Sequence, residues 1–363
     1  MKKICVSFNH LQYSDGVARA AISMANHLAT FSNVEVVLRP IFKFDKSTVS
    51  LLSSNIQIIP VFGHYFWGLG KILYSLPPKI LYKLCFGGSY NYDILIAFQY
   101  GITIKALAGS KPSTNFITKV GWMHGYEEKM IQKKYYLTAD KMICVSKESA
   151  ERLRRDLDNQ VEVDYCYNLL DERVILEKAK HTLETLQNNV PKFVSVGRLS
   201  EEKGYSRLID IVKQLSDEGF AFQLKIVGNG PKFQTLQKKI EESDLAEVVI
   251  LCGKQSNPYK IVAEADLFIC SSFAEGYSTA CTEAVILGVP VLTTRVGGAQ
   301  EIIETSRAGM LVENNRDSLY NGLKSILEDP SQIIDWKELL KTSKENFYLS
   351  KRTKRLEKIL DLK

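Results

Sequence analysis

The sequence lacks the features that carry a chain into or across a membrane. No uninterrupted apolar stretch approaches the roughly 18 residues that a membrane span needs. The apolar run Ile4–Phe8 is also shorter than the about 7 to 15 residues of a secretory signal core. We therefore expect a cytoplasmic protein, and 363 residues of ordinary globular composition are enough for two domains.

Paired cysteines are missing as well. The cysteines are odd in number and scattered, and no C-x-x-C pair or Cys/His spacing suited to zinc occurs among them. The seven are Cys5, Cys85, Cys144, Cys166, Cys252, Cys270 and Cys281. We expect reduced thiols in the hydrophobic core.

Acidic residues are absent from residue 49 to residue 92. Lys71, Lys79 and Lys83 alternate there with aromatic and aliphatic residues, a combination that suits the interface of an anionic bilayer. Residues 62–86 are therefore predicted to contact an anionic membrane surface, and the alternative is a helix pair that covers the core of the first domain. The net charge of +6 comes without a helix-turn-helix, zinc or aromatic RNA-binding signature, so nucleic acid is not an expected partner.

Short apolar runs alternate with amphipathic stretches along the whole chain, which predicts α/β domains with parallel sheets. The predicted strands are Lys3–Phe8, Val34–Leu38, Ile56–Val61, Ile94–Phe98, Asn115–Val120, Lys141–Val145, Lys192–Val196, Gln223–Val227, Val248–Leu251, Leu267–Cys270, Val289–Thr293 and Met310–Val312. The expected fold class is α/β, with two doubly wound Rossmann-like domains facing a cleft. Ligands of such domains bind at the carboxyl ends of the strands.

The domain boundary is placed at residue 170, ahead of a polar stretch that precedes a new strand. The predicted domains are residues 1–170 and residues 171–345, followed by a C-terminal helix, 346–363, that packs back on the N-terminal domain. The Lys and Arg residues of this last helix are expected on a solvated face.

Two turns of the second half carry glycines between a strand and a helix. The turn from Gly197 to Gly204 contains Arg198 and Lys203, two cations that can supplement backbone N–H groups around a pyrophosphate. The turn Gly228–Pro231 lacks the third glycine and the downstream acid of a dinucleotide fingerprint, which disfavours a nicotinamide dehydrogenase. A tight turn before a helix explains this second turn equally well.

A third turn, Glu275–Glu283, places two carboxylates around the start of a helix. Gly276 lets the backbone approach a ligand, and Ser278 or Thr279 can cap the helix. The carboxylates can bind sugar and ribose hydroxyls while helix N–H groups face a phosphate. The alternative is that these acids only favour the helix dipole.

The order of these motifs, continued by Gly288–Val291 and Gly297–Glu301, resembles the retaining glycosyltransferases of group 1, which have the GT-B fold. The resemblance is specific over residues 190–305. It implies a nucleotide-sugar donor, most often a UDP-sugar in this family, bound by the second domain. The first domain would then bind a saccharide or lipid-linked saccharide acceptor, as in the synthesis of cell-surface polysaccharides and glycoconjugates.

The resemblance also implies roles for single residues. Arg198 and Lys203 would bind the donor diphosphate, Glu283 the ribose and Glu275 the transferred sugar. The remaining residues implied in the donor pocket are Gly228, Gly276, Tyr277, Ser278 and Thr279.

The first half resembles the same family more loosely. Asp15–Arg19 is similar to the family's glycine loop, which implies that Gly16 faces the donor phosphates. Trp122–His124 is similar to its Trp-x-His motif, which implies that His124 lies beside the sugar. Asn168, beyond the segment Asp140–Ser146, marks the approach to the hinge.

The sequence departs from the family's pattern at several positions. Asp15 stands where a second glycine is common, Leu169 follows Asn168, and Tyr277 replaces a common phenylalanine. Ser278–Ala280 replaces a run that contains Gly or Pro. These departures bear on the identity of the acceptor and the sugar.

The reaction implied by the resemblance is attack of an acceptor hydroxyl on the anomeric carbon, on the face from which the diphosphate leaves. His124, Glu275, Arg198 and Lys203 are its predicted catalytic residues. Neither a metal nor a cofactor is expected, so protein cations and helix amides must stabilise the leaving group. Two alternatives stay open: a nucleotide-sugar 2-epimerase on the same fold, and a non-catalytic partner subunit that resembles a glycosyltransferase.

Overall fold

Two parallel β-sheets with interleaved helices form the framework of the computed structural model, which describes residues 1–12, 16–88, 91–110, 117–125, 132–180 and 190–362. The chain divides into two compact units, one of residues 1–170 with 353–363 and one of residues 171–352. The predicted fold class, α/β with two doubly wound Rossmann-like domains, is confirmed.

The first unit has a seven-stranded sheet with the order β3-β2-β1-β4-β5-β6-β7. Its strands are β1 (Lys2–Phe8), β2 (Val34–Pro40), β3 (Gln57–Ile58), β4 (Ile94–Ala97), β5 (Thr118–Met123), β6 (Lys141–Cys144) and β7 (Glu162–Tyr165). Its helices are α1 (Gly16–Leu28), α2 (Lys46–Val49), α3 (Leu69–Ser75), α4 (Pro78–Phe86), α5 (Ile102–Leu107), α6 (Lys133–Tyr136) and α7 (Lys147–Asp156). The strand order reverses between β1 and β4, and ligands of doubly wound sheets bind at such a switch point.

The second unit has a six-stranded sheet with the order β10-β9-β8-β11-β12-β13. Its strands are β8 (Lys192–Val196), β9 (Gln223–Val227), β10 (Val249–Gly253), β11 (Leu267–Cys270), β12 (Val291–Thr294) and β13 (Gly309–Val312). Its helices are α8 (Glu172–Ala179), α9 (Tyr205–Asp217), α10 (Phe233–Glu242), α11 (Tyr259–Ala263), α12 (Thr279–Ile286), α13 (Ala299–Ser306), α14 (Arg316–Glu328) and α15 (Ser331–Ser343). The last helix, α16 (Leu349–Ile359), begins in this unit and ends in the first.

The central strands are recognisable in the sequence because they are buried on both faces. Every residue of β4, β11 and β12 is buried, and β4 and β11 are continuous apolar runs. All seven cysteines are free thiols and six of them are buried, with Cys252 half-buried. The prediction of core thiols is therefore confirmed for six.

Three strand predictions need correction. The strand β7 was missed because its sequence, Glu-Val-Asp-Tyr, belongs to an edge strand and contains no apolar run. The other edge strand, β3, has two residues rather than the predicted six. The strand β5 begins at Thr118 and ends at Met123, later than predicted, and residues 115 and 116 lie outside the described part of the chain.

The C-terminal segment also differs from its prediction. It is interrupted by a 3₁₀ turn, Lys344–Phe347, and by the extended Tyr348. The expectation of a solvated basic face is wrong for Arg352, which is 5% exposed, whereas Arg355 is half-buried. The Arg355 guanidinium lies 3.5 Å from the Tyr165 ring centroid and pairs with Asp164. Aromatic rings and a carboxylate of the folded chain thus take the place of water around these guanidinium groups.

The turns that follow β8 and β9 pack directly against each other. Gly228 has a φ of +149°, and a Cβ atom there would lie 1.8 Å from the carbonyl oxygen of Gly197. The Gly197 N–H donates to the Val227 carbonyl at 3.0 Å. Only glycine fits at residue 228, so its close backbone approach is a requirement of the fold.

We predict that Gly228→Ala destabilises the second unit by about 2 to 4 kcal/mol, because the new methyl group must displace backbone. Gly219→Ala is the matched control, since Gly219 has a φ of +91° with no atom within 4 Å of the added Cβ. That control should cost only the about 1 to 2 kcal/mol of a left-handed backbone. Urea unfolding followed by circular dichroism measures both, and equal losses would contradict the packing argument.

Candidate functional site

A half-buried ion pair joins two of the predicted site residues in the second unit. The Lys203 ammonium lies 2.7 Å from Glu275 Oε1, and the side chains are 24% and 14% exposed. Burial alone lowers the pKa of Lys203, but the Glu275 carboxylate outweighs it and the pKa is raised. The ammonium group therefore keeps its charge in this site.

The sheet topology brings the pair together. Lys203 ends a 3₁₀ turn, Glu201–Lys203, after β8, and Glu275 lies in the loop of residues 271–278 between β11 and α12. The strands β8 and β11 are parallel neighbours, so the segments that leave their carboxyl ends meet at one edge of the sheet.

Two serines that the sequence analysis missed hold this pair in place. Ser271 Oγ donates to the Lys203 carbonyl oxygen at 2.9 Å, and Ser272 Oγ donates to Glu275 Oε1 at 2.6 Å. Both serines are buried. Their position directly after the apolar strand β11 is a signal that could have identified them, because polar residues at strand ends often face the ligand site.

The helix α12 begins as the sequence predicts. Ser278 is its N-cap, and Ser278 Oγ accepts a hydrogen bond from the Cys281 N–H at 3.2 Å. Gly276, Tyr277 and Ser278 are buried, and Thr279 is half-buried. The N–H groups of the first turn of α12 therefore follow directly on the loop that carries Glu275.

Glu283 lies inside α12 and is buried, with 4% exposure. Its Oε1 accepts a hydrogen bond from the Tyr259 hydroxyl at 3.2 Å. Tyr259, at the start of α11, is a second partner that the sequence analysis missed, and no motif pointed to it.

Arg198 and Gly228 do not take part in the contacts around Lys203 and Glu275 described above. Arg198 is exposed and forms no ion pair with any residue that the structure describes. Gly228 contacts the neighbouring turn through its backbone, which accounts for its glycine without a ligand. The structure thus brings together Lys203, Glu275 and the start of α12.

In the first unit, His124 follows β5 at the carboxyl edge of the sheet. Its ring lies 4.5 Å from the Phe98 ring, centroid to centroid. Neither imidazole nitrogen has a hydrogen-bond partner of normal geometry among the described residues. Burial lowers the pKa of His124 to about 3, and the side chain of Asn168 opposes this only in part. The imidazole is therefore neutral at physiological pH.

Gly16 is the first residue of α1. Asp15, with the rest of the predicted glycine loop before Gly16, lies outside the described residues. The loop after β1 is linked to the loop after β4, because the Asn9 N–H donates to Gln99 Oε1 at 2.8 Å. These loops and His124 share one edge of the first sheet.

The described residues contain no group of three or more His, Cys, Asp or Glu side chains that could hold a metal ion. One Asp-x-Asp sequence, Asp156–Asp158, occurs at the end of α7, where Asp158 pairs with Lys133 at 3.1 Å. A reaction without metal remains a prediction.

Residues 178–346 match the family model described as glycosyl transferases group 1. The chain is 28% identical over 260 residues to the Campylobacter jejuni N-acetylgalactosamine-N,N'-diacetylbacillosaminyl-diphospho-undecaprenol 4-alpha-N-acetylgalactosaminyltransferase. That alignment covers 71% of this chain and 70% of the relative.

Solved structures share the fold over the whole chain. Sucrose-phosphate synthase from Thermosynechococcus elongatus has a TM-score of 0.78 at 16% identity, covering 100% of this chain and 99% of its own. Anabaena HepE in complex with UDP has a TM-score of 0.72 at 16% identity, with both chains fully covered. At these identities the likeness shows the fold.

The buried, neutral His124 predicts a loss of stability in acid. Its folded-state pKa of about 3 lies below the ordinary value of about 6.5, so the unfolded chain binds a proton that the folded chain does not. This contribution is complete above about pH 6.5 and is lost as the pH falls, by about 2 kcal/mol at pH 5.

The measurement is the free energy of unfolding at pH 7 and pH 5, for the wild-type chain and for His124→Gln. We expect the variant to lose about 2 kcal/mol less than the wild-type chain between these values. Identical pH dependence of the two chains would show that His124 titrates normally in the fold.

Proposed function

We propose that this chain is a group 1 glycosyltransferase, and that it transfers a sugar from a UDP-sugar with retention of the anomeric configuration. The acceptor is a saccharide or a lipid-linked saccharide. The reaction is placed in the cytoplasm and uses neither a metal nor a cofactor.

The observation that carries this proposal is the Lys203–Glu275 pair beside the start of α12. A diphosphate needs cations and N–H donors, and a sugar needs carboxylate acceptors for its hydroxyls. Here the ammonium group, at the end of the turn after β8, lies 2.7 Å from a carboxylate on the loop that caps an eight-residue helix. The pair thus fits the point in a nucleotide sugar where the diphosphate joins the sugar.

We assign the chemistry to this chain's residues as follows. Lys203, Arg198 and the N–H groups of the α12 N-terminus stabilise the negative charge that develops on the leaving diphosphate. Glu275 binds the transferred sugar, and Glu283 binds the ribose. In this assignment a phosphate oxygen of the leaving group takes the proton of the acceptor hydroxyl.

His124 is assigned to the sugar. Its ring nitrogens are buried without partners of normal geometry among the described residues, and a neutral imidazole can both donate and accept a hydrogen bond. A sugar hydroxyl supplies both partners. Gly16, at the start of α1, remains assigned to the donor phosphates.

The choice of UDP and of a lipid-linked acceptor rests on the relatives. HepE of the same fold is known in complex with UDP, and the Campylobacter jejuni relative is named for a diphospho-undecaprenol acceptor. A donor raises the stability of the chain that binds it, so protection against thermal unfolding by UDP-, GDP- and ADP-sugars identifies the nucleotide. The proposal expects the largest protection from a UDP-sugar.

We predict that Lys203→Ala and Arg198→Ala each cost about 2 to 4 kcal/mol of transition-state stabilisation, because each removes a cation from the leaving group. The measurement is kcat/KM with the UDP-sugar that protects best. Lys213→Ala is the matched control, since Lys213 is a partly exposed lysine of the same unit that pairs with Asp217.

Two outcomes would contradict the donor assignment. One is a normal rate in both alanine variants, and the other is activity that vanishes in EDTA and returns with manganese.

Release of an epimerised nucleotide sugar without any acceptor would instead support the 2-epimerase. Glu283→Gln should raise the dissociation constant for UDP, since the ribose hydroxyls lose a charged acceptor and keep only a weaker, neutral one.

We also propose that the first unit docks on an anionic membrane through the residue 62–86 surface. Among the described residues no helix is long and apolar enough to cross a membrane. The helices α3 and α4 bury one face, with Leu73 and Leu81 in the core, as the alternative reading expects. Their other face and the preceding loop expose large apolar side chains, namely Tyr65, Phe66, Trp67, Ile72 and Ile80.

The charge of this surface selects an anionic partner. Trp67 is 89% exposed, and the Lys71 ammonium lies 6.0 Å from its ring centroid. Lys71, Lys79 and Lys83 are all exposed, in a segment without acids. Exposed aromatics beside lysines match the interface of a bilayer that carries negative lipids.

We predict that Lys71→Glu and Lys79→Glu each weaken binding to phosphatidylglycerol vesicles by about 1 kcal/mol or more, because each removes a juxtamembrane cation. Trp67→Ser should weaken binding to the same vesicles through the lost apolar contact. Lys238→Glu, on the exposed face of α10, is the control. Vesicle sedimentation measures binding, and equal binding to neutral and anionic vesicles would contradict the proposal.

A further inference from the structure

A buried arginine from the far end of the chain reaches the loop that carries Glu275. Arg352, on α16, is 5% exposed and is the last residue of the second unit. Its Nη2 donates to the Tyr277 hydroxyl at 2.9 Å. The guanidinium carbon also lies 5.3 Å from the Tyr277 ring centroid and 4.8 Å from that of Phe347. Both the hydroxyl and the ring of Tyr277 are thus in contact with one cation.

The other side of Tyr277 is fixed by the turn at the start of α13. A Cβ atom on Gly298 would lie 2.5 Å from Tyr277 Cδ2, and one on Gly297 would lie 2.4 Å from the Glu275 carbonyl oxygen. The glycine turn therefore packs against both the tyrosine ring and the loop backbone. Tyr277 is held between this turn and Arg352.

The residues on either side of Tyr277 are assigned to the donor. Glu275 precedes it by two residues and pairs with Lys203, and Ser278 follows it and caps α12. A shift of the Tyr277 ring must move the backbone that sets both. Protein interiors are close-packed, so a displaced ring cannot be absorbed locally.

The hydroxyl of Tyr277 is what links this loop to α16. A phenylalanine at this position would keep the ring and lose the acceptor for the Arg352 guanidinium. Hydrogen bonds to a charged group are stronger than neutral ones, and the contact is buried on both sides.

We propose that Arg352 is a positioning residue of the donor site, which sets Tyr277 and through it Glu275 and the first amides of α12. Its effect on the reaction rests on the proposed function, whereas its effect on the loop does not. It touches no donor atom in this scheme and acts only through Tyr277.

The loop effect is tested without any ligand, by hydrogen exchange of the wild-type chain, Tyr277→Phe and Arg352→Met. We expect amides in residues 275–281 to exchange about tenfold faster in both variants, with the rest of the second unit unchanged. Lys351→Met, an exposed neighbour that loses the same charge, is the control and should exchange as the wild-type chain. Unchanged exchange in residues 275–281 of both variants would overturn the proposal.

The functional effect is tested with UDP and the UDP-sugar that protects best. We expect kcat to fall about tenfold in Tyr277→Phe and in Arg352→Met, with less than about twofold change in UDP affinity. The double variant should be no slower than either single variant, because one contact is lost in all three. Arg352→Lys should restore part of kcat, since an ammonium can still donate to the hydroxyl.

The outcomes separate the two proposals. If the wild-type chain binds no UDP and uses no UDP-sugar, the proposed function fails while the exchange experiment still decides the positioning role. If the wild-type chain uses the UDP-sugar and the losses of kcat in the two single variants add up in the double variant, Arg352 does not act through Tyr277. The positioning role is then refuted.

Discussion

The candidate site depends on one ion pair, between Lys203 and Glu275. Both side chains are half-buried, so each charge offsets part of the desolvation of the other. Each partner is also held separately by a serine, with Ser271 on the Lys203 carbonyl and Ser272 on the Glu275 carboxylate. In our assignment the pair is also where the donor changes from diphosphate to sugar, so the interaction that orders the site is the one that a donor would rearrange.

The fold brings Lys203 and Glu275 together without a long loop, because neighbouring parallel strands have their carboxyl ends at the same edge of the sheet. The strands β8 and β11 are neighbours although about 70 residues separate them, and the turns that leave them meet without a long loop. Glycines allow the approach: Gly228 at the neighbouring turn and Gly297 against the Glu275 loop leave no space for a side chain. The same residues read as sequence motifs and as packing constraints.

The bounds of the central strands and the start of the capped helix could be predicted from the sequence. The side chains that hydrogen-bond to the site residues could not. The bounds of β8, β9 and β11 match their prediction because apolar residues dominate these central strands, and β11 is an apolar run that is buried throughout. The edge strand β7 has no such run. Local chemistry predicts Ser278 or Thr279 as the cap, and Ser278 takes that place. Tyr259 and Arg352 could not be predicted, because each contacts, through tertiary packing, a residue 24 or 75 positions away. Position along the chain carries no signal of that kind.

The most direct test of this account is the affinity for UDP of Lys203→Ala and Glu275→Ala, measured by calorimetry beside the wild-type chain. Lys203 is assigned to the diphosphate and Glu275 to the sugar. UDP affinity should therefore fall at least about tenfold in Lys203→Ala, the loss expected for a charged donor, and stay near the wild-type value in Glu275→Ala. Equal losses in the two variants, or an unchanged affinity in Lys203→Ala, would contradict it.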